Sequence, residues 1–106
     1  MGMIMRGTTP SIVFDFDEDL DFEEMEQIWV TLRDGHQRVY NWPISRLTLD
    51  SERNEITLDL TQAETNCMAW GNGDVQIRFL TKTGAAFGTY KEPIDIENVI
   101  KGGIIR

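Results

Sequence analysis

The residues with the most suggestive chemical spacing are acidic. Asp15, Asp17, Asp19 and Glu26 occupy the first, third, fifth and twelfth positions of a calcium-binding loop, with Phe22 at its apolar eighth position. Leu20 stands where such a loop needs glycine for its sharp turn, and Ser11 to Phe16 reads as a strand where an entering helix is required. The segment therefore reads as a strand edge running into a solvated acidic loop. No metal is expected, and the calcium loop stands as the weaker alternative.

Nucleophilic or metal-assisted catalysis finds little material. His36 is the single histidine and lies beside a hairpin turn, so every Ser–His, Cys–His or two-histidine site would depend on it. Cys67 is the single cysteine, which excludes an internal disulfide and fits a reducing cytoplasm. A small buried thiol is expected there. Gly71-x-Gly73 lacks the remaining glycines of a dinucleotide site. The reading is a protein that is not an enzyme and carries no cofactor. The aromatic residues Trp29, Tyr40 and Trp42 offer binding chemistry instead, as an exposed apolar face for a protein partner or a stacking platform for sugar rings.

The elements that would position them are strands. Ile28, Val30 and Leu32 alternate with polar residues, Asp34-Gly35 is a two-residue turn signal, and Gln37 to Trp42 returns. With Asp34 and Gly35 as the loop, Val30 pairs with Val39, Trp29 with Tyr40 and Gln27 with Trp42. That register sends Ile28, Val30, Leu32 and Val39 inward and groups Trp29, Tyr40 and Trp42 on the opposite face. Ser11 to Asp17 gives an earlier strand with Ile12, Phe14 and Phe16 inward. Ile44 to Asp50 and Glu55 to Leu60 form a second hairpin about Ser51 to Asn54. Asp74 to Thr81 and Ala85 to Tyr90 form a third about Lys82-Thr83-Gly84. Thr61-Gln62-Ala63-Glu64 has the form of a capping box opening a short helical turn, stopped by Gly71-Asn72-Gly73. Glu92-Pro93 marks an edge strand or a break.

The fold expected is all-β: an Ig-like antiparallel β-sandwich of seven to eight strands with one short helical turn near residues 62–68. A small, partly open barrel is the alternative. Residues 1–9 read as an N-terminal arm, 10–101 as one sandwich domain and 102–106 as a tail. Met3-Ile4-Met5 and Ile104-Ile105 could pair with a neighbouring sheet edge by strand addition. A chain of 106 residues with net charge −8 argues against general nucleic-acid binding, and no apolar run is long enough for a membrane helix.

Arg6-Gly7-Thr8-Thr9-Pro10-x-Ile12-x-Phe14 resembles the opening of small proteins from phage and prophage structural cassettes of Gram-positive bacteria. The resemblance recurs at Leu60 to Thr65, at Val75 to Thr81 and from Gly84-Ala85-Ala86 to the Ile-rich tail. More broadly it is similar to the Ig-like N-terminal domain of phage baseplate upper proteins. The resemblance implies a prophage-encoded, tail- or baseplate-associated virion protein, made in the bacterial cytoplasm. It implies partners among other phage structural proteins or copies of itself in a homo-oligomer, and no catalytic residues. The alternative function is a carbohydrate-binding module whose aromatic face takes host cell-wall polysaccharide.

Overall fold

A computed structural model describes residues 3–89 and 91–105. Tyr90, expected at the end of the third hairpin, and Arg106, in the expected tail, lie outside the described residues. Nine strands occur among the described residues: β1 (Met3–Met5), β2 (Ser11–Asp15), β3 (Met25–Arg33), β4 (Val39–Trp42), β5 (Leu47–Asp50), β6 (Glu55–Asp59), β7 (Gly71–Thr81), β8 (Ala86–Gly88) and β9 (Glu92–Glu97). A helix, α1 (Gln62–Cys67), joins β6 to β7. One sheet runs β1-β9-β7-β3-β4 with β8 also on β7, and the second runs β2-β6-β5. The molecule is the β-sandwich that the alternating strands predict, with nine strands among the described residues where seven to eight are expected, and with β1 and β9 paired in parallel in an otherwise antiparallel arrangement.

Period-2 alternation places the core between the sheets. Ile28, Val30 and Leu32 of β3 and Val75, Ile77 and Phe79 of β7 are buried on the inner face of the large sheet. Ile12, Phe14, Ile56 and Leu58 oppose them from the small sheet. The segment expected as an arm is part of this construction. β1 pairs in parallel with β9, Ile4 opposite Ile96, and Ile4 is fully buried while Met3 and Met5 face out. Pro93 sits in β9 where one flank is open, because the β1 pairing begins only at Asp95. β7 starts at Gly71, so Gly71-Asn72-Gly73 forms ladder where a loop was expected.

The β3–β4 hairpin departs from the expected register. Val30 pairs with Trp42, Leu32 with Tyr40 and Arg33 with Val39. The Asp34 N–H donates to the Arg38 carbonyl, leaving Gly35, His36 and Gln37 as the loop, with Gln37 at φ 67°. This is a three-residue loop closed by a left-handed residue, not the two-residue turn that Asp34-Gly35 suggests. The pairing moves by three positions, and an odd shift exchanges the faces. Val39 therefore lies outside at 56% exposure, and Trp42 lies in the core at 4%.

Gly35 serves a different need from the one its dipeptide signals. A Cβ at Gly35 would stand 2.2 Å from the Trp70 carbonyl oxygen, so the residue is required for close backbone approach.

Candidate functional site

The three aromatic residues proposed for one exposed face are separated by the sheet. Trp42 is buried, and its indole Nε1–H donates to Glu64 Oε2 at 2.6 Å. Tyr40 is half-buried on the same side, its ring stacked near that of Trp42 with centroids 6.4 Å apart. Trp29 alone of the three is on the outer face. The shared aromatic face is thus corrected to one outward indole and two inward rings. The cause is the three-residue loop.

Two carboxylates organise the inward pair. Asp34 is fully buried. Its Oδ1 accepts from the His36 and Arg38 N–H groups, and its Oδ2 accepts from Ala69 N–H, Tyr40 Oη and Arg38 Nε. Burial is the largest single influence and would raise the Asp34 pKa. The donors of Ala69, His36, Tyr40 and Arg38 together outweigh it and hold the group at about 2. Such a group is a permanently charged anchor, unsuited to proton transfer near neutrality.

Glu64 is the second anchor. It closes the capping box, its Oε1 accepting from Thr61 N–H while Thr61 Oγ1 accepts from Glu64 N–H. The Arg46 guanidinium binds both of its oxygens. That contact, with the Trp42 and Thr61 donors, holds Glu64 at about 2 against the opposing effect of burial. Asp34 and Glu64 pin β4 to the segment around α1.

The acidic residues of the calcium-loop spacing do not converge. Asp15, Asp17 and Asp19 follow the strand edge and loop, Glu26 lies on β3, and no three His, Cys, Asp or Glu side chains gather as a metal-holding group among the described residues. An asparagine orders the loop instead. Asn54, at φ 55° in the β5–β6 turn, donates from Nδ2 to the Phe16 and Glu18 carbonyls and accepts the Leu20 N–H at 3.0 Å. His36 is exposed at the hairpin tip, and only its backbone hydrogen-bonds to Asp34. Cys67, expected as a buried thiol, is exposed at the end of α1, because Thr65 and Met68 take the inward positions.

Tyr40 and Trp42 line a groove with Ala63, Glu64 and Cys67, and two further surfaces are open for contact. The first is the outer face of the large sheet. Trp29, 41% exposed, lies opposite Arg78 on β7 and lines a groove of about 520 Å³ with Gln27, Thr31, Asn41 and Leu80. A second groove begins at the same Thr31 and continues past Arg33, Asp74 and Gln76 to Lys91. The second surface is the β1 edge. One side of β1 pairs with β9 and the other has no strand among the described residues, while Met3 (56%) and Met5 (43%) project from the outer face. Trp70, absent from the sequence-derived candidates, is exposed nearby in sheet terms. It lines a shallow groove with Asn72, Asp95, Glu97 and Asn98. The tail is fastened rather than loose: Gln62 Nε2 donates to the Ile105 carbonyl, and Ile105 N–H donates to Gln62 Oε1.

No family model matches the chain, and no curated protein matches its sequence. Among solved structures it is similar to CopC from Methylosinus trichosporium OB3b, with a TM-score of 0.54 and 14% identity. That match covers 90% of this chain and 83% of the other. Domains 3–5 of the Drosophila OTK extracellular region align with 93% of this chain at a TM-score of 0.38 and 13% identity, the match spanning 32% of that chain. At such identity the CopC likeness bears on the fold alone.

Proposed function

We propose that this chain is a non-enzymatic structural module of a phage or prophage virion, associated with the tail or baseplate and acting through protein–protein contact. The observation that carries the reading is the open edge of β1. The three-residue Met-Ile-Met strand has no strand partner on one side among the described residues and carries two exposed methionines without a lysine or proline, its one capped edge group being the Met5 carbonyl, which accepts from Thr8 Oγ1. The opposite edge, β4, is followed at once by Pro43 and a 3₁₀ turn. An open edge can take a strand from a neighbouring subunit, with main-chain pairing supplying the affinity. The partner is a second copy or another virion protein. The resemblance carried by residues 6–14 and 75–81 supports the same assignment.

The test is light scattering on the eluting protein over a concentration series, comparing wild type with Met3→Lys/Met5→Lys. Wild type is expected to associate as concentration rises. The variant, with charge on the edge, is expected to stay monomeric with an unchanged melting temperature. A wild type that stays monomeric throughout would remove self-assembly through β1. Normal incorporation of the double variant into tails assembled in the host would remove the edge as a virion contact.

A further inference from the structure

The outer face of the large sheet is unlike the β1 edge in chemistry. The chain has a net charge of −8, and eight of its eighteen acidic residues lie between Asp15 and Glu26. The two adjoining grooves on the outer face reverse that balance, with Arg78, Arg33 and Lys91 against Asp74 alone. Arg33 is committed to Asp74 through two hydrogen bonds. Arg6, Arg38, Arg46 and Arg53 likewise have hydrogen bonds or ion pairs within the chain. Arg78 has none among the described residues, although acidic side chains are abundant.

Arg78 stands among an aromatic ring and side-chain amides. Trp29 lies directly across the ladder from it, mid-strand on β3. Thr31 Oγ1 donates to Asn41 Oδ1 at 2.7 Å, which leaves the Asn41 Nδ2 donors without a partner among the described residues. The Gln27 amide lines the same groove. One flat indole, a free guanidinium and side-chain amide donors match a ring bearing hydroxyls and a negative charge. The indole stacks on the ring, the amides bind hydroxyls, and the guanidinium forms charge-assisted bonds to the anion. Trp29, Leu80 and Ala86 line the first groove and Val39 the second, with the Asn41–Thr31–Gln76 row between them, so the exposed apolar side chains do not form one central cluster. The trough follows β7 from Leu80 to Asp74, a length of roughly 20 Å at strand rise, which suits a chain of several rings.

We propose that this face, from Leu80 through Trp29 and Arg78 to Lys91, binds an anionic polysaccharide. Trp29 is the stacking residue and Arg78 takes the carboxylate or phosphate. The site is separate from the β1 edge, so either proposal can fail without the other.

Calorimetric titration of the intact chain tests it, with polygalacturonate as the carboxylate probe, teichoic acid as the phosphate probe, and neutral dextran and polyglutamate as controls. Binding is expected to one or both anionic glycans, weakening as salt rises. Trp29→Ala and Arg78→Gln are each expected to weaken it by about tenfold, with melting temperatures near wild type. Carboxylate and phosphate sources are told apart by which glycan binds more tightly. No binding to either glycan overturns the proposal, as does binding that both variants retain in full. Polyglutamate binding as tightly as the better glycan would reassign the face to an acidic protein partner. Equal binding to dextran would remove the role given to Arg78.

Discussion

A single buried carboxylate decides the local structure at the hairpin end. Asp34 gathers five donors, and one of them, Ala69 N–H, comes from a segment 35 residues away. Replacing Asp34 with Ala leaves the Ala69, His36 and Arg38 N–H groups without their acceptor in a closed site. The expected loss is about 3 kcal/mol or more, by the cost of stripping a partner from a buried charged network. Urea unfolding of Asp34→Ala against wild type measures it, and a loss within about 0.5 kcal/mol would show that the network is expendable, as at an ordinary surface site. Asn54 has a comparable organising part at the other end of the sandwich, where one side chain and its left-handed backbone order the acidic loop.

At the level of elements, what could be read from the sequence was what is local. The capping box of α1 lies within four consecutive residues and forms as its spacing predicts. The inward faces of β2, β3 and β7 follow from alternation alone. The β3–β4 register could not be read that way, because it depends on Asp34 finding Ala69 and on Gly35 packing against the Trp70 carbonyl. The candidate site divides in the same manner. Trp29 was recognised as outward because its own strand alternates. Arg78 was missed because only the β3–β7 pairing brings it opposite Trp29. The corrected register makes two indoles behave differently. Trp42→Ser is expected to destabilise the fold by about 3–5 kcal/mol, the cost of emptying a large core position. Trp29→Ser should stay within about 0.5 kcal/mol of wild type, as surface changes do. Thermal melts of the two single variants check this, and equal losses would restore the two-residue turn.

The molecule as a whole should respond to acid through its two anchors. The folded pKa values of Asp34 and Glu64 are about 2, against ordinary values of 3.8 and 4.5. A carboxyl depressed on folding contributes stability that is complete above its unfolded pKa and is lost as pH falls through its folded one. Melting temperature is therefore expected to fall between about pH 4.5 and 2, and Asp34→Ala should flatten part of that decline. A melting temperature that held or rose across the interval would contradict the anchoring roles. A different consequence follows from the parallel pairing of β1 with β9. During synthesis the Met3–Met5 segment leaves the ribosome long before Glu92–Glu97 exists, an interval of roughly 5–20 s at usual elongation rates. Through that interval Ile4 has no sheet to enter, and both edges of its strand are open to a chaperone or a neighbouring nascent chain. The ninth strand is the one that closes the first.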